Sequence, residues 1–288
     1  LVAGFIWLGT AHARDFLIGF ASEQLNTDDS ELLVTDASGS LLDSLNIGQL
    51  TYRDKASDVQ LEGVKLQWSP AQLLSLKLLV STIEVDSASL ELKTTDEPVP
   101  KSEPGAGMPD SIALPIQFEL SRFVLNNLSV KTADADEPLQ FTGIALAARY
   151  GPADGSNRFL LNQVTASTPW GQLQDASVSL GDEAPFPLSA NAQWQGPIAA
   201  QTLELDLTGS GSLENLELNA KASAGSGTVT LVAGLQPLDP VLWTAAELKT
   251  RGIDIREFSD TAPGTKLDVD LNLTNLVVGS PDPDPENP

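Results

Sequence analysis

Leu203-Glu-Leu-Asp-Leu-Thr208 alternates apolar and polar residues without a break, and Leu267-Asp-Val-Asp-Leu-Asn-Leu273 does the same. Successive side chains in a strand point to opposite faces, so each stretch reads as a ribbon with one apolar side and one wet side. Working outward, strand-length runs of this kind recur almost from end to end. The first group is Leu32 to Thr35, Ser44 to Arg53, Asp58 to Trp68, Leu76 to Glu84 and Ala88 to Lys93. Ile116 to Leu125, Asn127 to Thr132, Leu139 to Tyr150, Arg158 to Ser167, Gly171 to Leu180 and Pro187 to Gln195 follow. Thr202 to Gly209, Ser212 to Ala222, Gly227 to Gly234 and Lys266 to Leu276 complete the series. Turn signals such as Asp154-Gly155, Gly209-Ser-Gly211 and Gly225-Ser-Gly227 separate several of them at hairpin spacing. The expectation is an all-β chain, a long antiparallel meander of about fifteen strands by these run lengths.

Helical signals are few. Phe16, Leu17, Phe20 and Leu25 recur at helical spacing, which predicts a short amphipathic helix and connection over residues 12–30. Ser69-Pro70 reads as the cap and first position of a one- or two-turn helix, and Pro237-Leu-Asp-Pro-Val-Leu-Trp243 predicts another, extending through Ala246. Residues 96–115 hold five prolines that cannot donate to a strand ladder. They read as a flexible insertion within a body spanning residues 31–279, and residues 280–288 as a Pro- and Asp-rich linker or truncation point.

Composition excludes several functions. Of 288 residues 41% are apolar, enough for a sizeable core, but only 6% are aromatic. Asp and Glu outnumber Lys and Arg 39 to 16, and a net charge of -23 repels nucleic acid. With no cysteine and a single His12, no thiol site, catalytic triad or His-rich metal site can be assembled in the body of the chain. There is no P-loop, G-x-S-x-G or G-x-G-x-x-G motif. Carboxylate pairs such as Asp28/Asp29 and Glu84/Asp86 lack calcium-loop spacing and read as solvated strand faces. Asn127-Leu-Ser129 and Asn272-Leu-Thr274 match the glycosylation sequon, which alone decides nothing. The expectation is a protein that is not an enzyme and carries no cofactor or metal.

Leu1 to Leu8 is apolar and uncharged but shorter than the roughly 20 residues that span a bilayer. Residues 1–11 read as the second half of a signal anchor. A secretory signal peptide ending at Ala11-His12-Ala13 and a short buried helix are the competing readings.

Alternation alone does not separate a sandwich, whose two sheets bury each other, from a trough whose apolar face stays open to a long hydrophobic ligand. The sandwich is the commoner answer; scarce aromatics argue for the trough. Fifteen strands at about 4.8 Å each would extend it roughly 70 Å.

A resemblance favours the trough. Gly39-Ser-Leu-Leu42, Leu45 to Tyr52, Val59 to Leu74 with its L-x-W-x-P-x-x-L-L element, and Val80 to Leu92 with I-x-V-x-x-A-x-L-x-L occur in an order that resembles the N-terminal region of the TamB family, within the wider AsmA-like group. Leu235 to Trp243, Leu248 to Phe258 and Pro263 to Asp268 are similar to a second landmark of that family. The resemblance implies a single-pass anchor in the Gram-negative inner membrane and a periplasmic body forming an elongated, repeating β-groove. Such grooves are associated with phospholipid passage between the two membranes, within a translocation and assembly module whose outer-membrane barrel subunit is TamA. The region meeting that barrel has no counterpart here. Groove-lining residues are then expected among the apolar alternators: Val59, Leu61, Leu66 and Trp68; Leu90 and Leu92; Ile116, Phe118 and Leu120; Leu203, Leu205 and Leu207; Val229 and Leu231; Leu267, Val269 and Leu271. The alternative is a scaffold or chaperone for outer-membrane β-barrel assembly, working by β-augmentation.

Overall fold

In the computed structural model, residues 9–27, 29–93, 109–238, 242–257 and 262–274 are described. A helix, α1 (Ala11–Leu25), precedes fourteen strands. These are β1 (Glu31–Gly39), β2 (Ser44–Arg53), β3 (Ser57–Trp68), β4 (Lys77–Leu92), β5 (Gln117–Lys131), β6 (Leu139–Ala153) and β7 (Ser156–Thr168). They continue with β8 (Gly171–Gly181), β9 (Pro187–Ile198), β10 (Gln201–Ser212), β11 (Leu216–Ala224), β12 (Gly227–Leu235), β13 (Trp243–Ile253) and β14 (Leu267–Thr274). All fourteen hydrogen-bond in chain order as one open sheet, with β1 and β14 at its edges. Among the described residues there is no second sheet, so a two-layer sandwich is not the arrangement.

The meander is broken once. β4 and β5 run parallel, Lys77 opposite Gln117 and Leu90 opposite Val130. Parallel neighbours need a crossover of a dozen or more residues. The Pro-rich stretch between Leu92 and Gln117 supplies that length; its residues 94–108 lie outside the described residues, as do the anchor stretch 1–8 and the tail 275–288.

Three local expectations are corrected. The runs expected as separate strands on either side of residues 85–87 form one strand, β4, and those either side of Asn126 form β5. Pro237 to Ala246 is not a helix that reaches Ala246: the Gln236 amide donates to the Leu242 carbonyl at 2.8 Å, and strand β13, absent from the expected series, starts at Trp243 opposite Leu235. In α1 the capping Thr10 hydroxyl accepts from the Ala13 amide at 3.3 Å, but the expected apolar face is turned outward. Phe16, Phe20 and Leu25 are exposed while Ala13 is buried. No helix among the described residues is long and apolar enough to cross a membrane. The turn after Ser69 is a 3-10 helix, Pro70–Ser75, as its proline suggests.

The chain divides into two compact units, Leu1–Gly107 with Ala113–Asp175, and Met108–Ile112 with Ala176–Pro288. In the second unit alternation is unbroken on β10, where Leu203, Leu205 and Leu207 are half-buried while Glu204, Asp206 and Thr208 are exposed, although β13 shifts register against both its neighbours.

In the first unit the alternation slips. On β1 to β6 two residues, not one, separate a pair of apolar positions: Val34 from Ala37, Ile47 from Leu50, Leu61 from Val64, Val85 from Ala88, Leu125 from Leu128 and Phe141 from Ile144. The register carries the slip straight across the sheet, because both members of each pair are displaced together. Thr35 pairs with Gln49 and Ala37 with Ile47; between them Asp36 faces Gly48. The same position passes to Gly63, Asp86, Asn126 and Gly143. At each antiparallel contact one partner turns left-handed, Asp36 at φ 55°, Gly63 at φ 63° and Gly143 at φ 60°, whereas at the parallel contact neither Asp86 nor Asn126 does. Glycine is the low-cost choice for that conformation. At Gly63 space also demands it, since a Cβ there would lie 2.0 Å from Oδ2 of Asp86.

Substitution should separate the two effects. Gly143→Ala, which meets no atom within 4 Å, is expected to cost about 1–2 kcal/mol in denaturant unfolding from the left-handed backbone alone. Gly63→Ala should cost more, and adding Asp86→Ala should recover part of the difference, because the Cβ that alanine keeps still lies 2.9 Å from the new one.

Candidate functional site

The register assembles the apolar alternators into rows that cross the strands. In the first unit one row runs Leu32, Tyr52, Val59, Leu90, Val130, Leu139. The next runs Val34, Leu50, Leu61, Ala88, Leu128, Phe141. Leu66 pairs with Leu45 and Ile83, Trp68 with Val80, and Val80 with Leu120. Phe118, Tyr150 and Phe159 form an aromatic row, the last two rings 4.5 Å apart. The expected positions on β3, β4 and β5 thus share one face. Ile116 lies just before β5 and Leu92 ends β4 opposite Ser57, so these two sit at its margin.

In the second unit Trp194, Leu205, Ala222, Val229, Thr250 and Val269 make one row. Ala192, Leu207, Ala220, Leu231, Leu248 and Leu271 make the next. Leu203 lies opposite Gly196 and Ala224, and Leu267 opposite Ile253. Where the side chains are small, at Ala222, Ala224 and Gly227, a cavity of about 240 Å³ opens between Leu203, Val229 and Ile253. Its walls carry almost no polar surface.

Burial distinguishes this face from a sealed core. Val85, Ala88 and Leu125 are 5%, 7% and 8% exposed and pack with Leu61, Val64, Ile83, Phe123, Leu128 and Ile144 from β3 to β6. Nearly all the other face residues stay half-buried, and the whole of β14 is exposed. The opposite face is polar, for example Gln60, Glu62, Lys65 and Gln67 on β3. Lys77 meets Glu119 there at 2.7 Å and Arg251 meets Asp270 at 2.6 Å, exposed or part-exposed pairs worth little individually.

The perturbed carboxylates are structural. The Asp54 carboxylate accepts from the Ala56 and Ser57 amides, and those bonds hold its pKa below the ordinary value. Asp254 is lowered likewise by the Thr265 and Arg256 amides. Both close turns at strand ends. No grouping of His, Cys, Asp and Glu among the described residues has the arrangement of a metal site.

The sequence reading missed buried members of the face, Val85, Ala88, Leu125 and Tyr150, and also Ala233 on β12, 1% exposed. The three-residue spacing hid the first three, which sit at the slip. Tyr150 is fixed by a contact distant in sequence, its hydroxyl accepting from the Leu114 amide at 3.0 Å.

A family model described as the TamB N-terminal domain matches residues 1–140 and 110–255. The chain belongs to this family. Membership in the TamB family places it among Gram-negative envelope proteins. No curated protein and no solved structure matches the chain significantly.

If the face is organised as the burial implies, Leu125→Ala should cost about 2–5 kcal/mol, the range for a packed leucine. Leu271→Ala, 44% exposed, should cost under about 1 kcal/mol by lost apolar area. Urea unfolding of the two variants checks the contrast.

Proposed function

We propose that this TamB-family chain carries phospholipid acyl chains on its apolar face, each unit supplying a stretch of path between inner and outer membrane, with no catalytic chemistry and no cofactor. The single observation behind this reading is the set of apolar rows that cross the strands with no second layer over them among the described residues. An acyl chain laid along such rows gains about 0.8 kcal/mol per CH₂ removed from water. Polar residues on the opposite face suit a watery compartment, here the periplasm. Anchorage in the inner membrane through residues 1–11, and partnership with TamA, follow from the family and belong to the same proposal.

A second reading has one observation in its favour. β14 is an edge strand exposed along its whole length, and such an edge is a template for a further strand. A chaperone for outer-membrane β-barrel proteins would use it.

Mild purification followed by mass spectrometry of organic extracts tests the first reading. Co-purified phospholipid is expected, and its absence contradicts the proposal. Leu205→Asp and Val269→Asp should reduce recovered lipid severalfold while circular dichroism and unfolding midpoint stay near the parent, because an open face tolerates a wet side chain and a sealed core does not. Global unfolding of both variants would instead indicate a closed core.

A further inference from the structure

The line Asp36, Gly48, Gly63, Asp86, Asn126 and Gly143 has a mechanical consequence. We propose that it is a hinge across β1–β6, about which the two halves of these strands swing to change the width of the first unit's apolar face. Three observations carry this. The ladder is interrupted along the line: Thr35 pairs with Gln49 and Ala37 with Ile47, but Asp36 and Gly48 between them form no ladder pair. Gly48 and Gly63, and then Asp86 and Asn126, are passed over in the same way. At the antiparallel contacts in the line, though not at the parallel Asp86–Asn126 contact, one residue is left-handed, and two of the three such residues are glycines; hinges work through a few positions that take up backbone rotation. The buried aliphatic cluster of the first unit, Val85, Ala88 and Leu125, flanks the line on its apolar side, with no second layer against it among the described residues.

Alignment makes the motion concerted. A slip on one strand would be braced by unslipped neighbours, whereas six slips at one register position let both halves move as rigid pieces. Strands β9 to β12 alternate without a slip, and other left-handed strand residues, such as Gln163 on β7, Asp175 on β8 and Gly252 on β13, are not aligned across neighbouring strands in this way, so the aligned line is confined to β1–β6. That the width adjusts to acyl chains rests on the lipid-carrying reading; the bend itself does not.

The chain has no cysteine, so two labels can be placed without background. Leu74→Cys, in the exposed turn before β4, and Thr132→Cys, just past the end of β5, lie on opposite sides of the line. Pulsed electron paramagnetic resonance between nitroxides at these sites should show a shift on the order of 5 Å when phosphatidylethanolamine–phosphatidylglycerol vesicles are added. A bend of a few tens of degrees produces that change in strands rising about 3.3 Å per residue. Gly143→Ala, which restricts the hinge without a steric clash, should at least halve the shift. A fluorescent phospholipid analogue reports binding in the same samples. Binding with an unchanged, narrow distance overturns the hinge and leaves lipid carriage standing. A distance distribution that is broad without lipid and narrowed by Gly143→Ala, in a chain that binds no analogue, keeps the hinge and removes the lipid.

Discussion

A sheet that alternates apolar and polar side chains must do something with its apolar face, and among the described residues no second layer of protein covers it. That constraint organises the molecule. Fourteen strands in chain order bury few of their aliphatic side chains fully, and the rest remain half in contact with solvent. Exposure of this extent is costly unless something else occupies the face, and large exposed apolar patches commonly mark interaction sites. The burial that does occur concentrates where the strands slip, around Val85, Ala88 and Leu125.

The slip itself is economical in sequence. Asp36 over Gly48 and Gly63 under Asp86 each combine one small polar side chain with one residue that has none. Because both partners are displaced together, pairing resumes on either side without loss of register, and the apolar rows stay intact. Bulges normally increase local twist and bend the strand that carries them. Lined up over six strands, the slips confer on the first unit a property absent from β9 to β12 of the second.

Much of this architecture was legible from periodicity. The stretch Leu203 to Thr208 behaves as its alternation requires, and most of the expected face residues, from Val59 to Val269, do fall into shared rows. What was not legible has identifiable causes. Period-two reasoning treated the double polar steps in β4 and β5 as strand ends, when the aliphatic spacing of two, three, two and the glycines at 48, 63 and 143 carried the signal of a slip. Parallel pairing of β4 with β5 depends on a long crossover that no local pattern announces. The Pro237 region looked helical because Ser/Pro and Pro/Asp starts are shared by helices and turns; strand β13 wins there by pairing with β12. The outward turn of Phe16 and Phe20 reflects which side of α1 meets β1, where Arg14 reaches the Gly39 carbonyl, and helical spacing does not encode that choice.

The central claim is that the apolar face of this TamB-family chain is occupied by lipid. Photo-crosslinking amino acids at Phe118, in the first unit, and Leu205, in the second, test it most directly, in cells expressing the chain. The account predicts that both positions yield phospholipid adducts, identified by mass. Crosslinks mainly to other polypeptides, with no lipid adduct at either position, would contradict it and point to a face that receives protein strands.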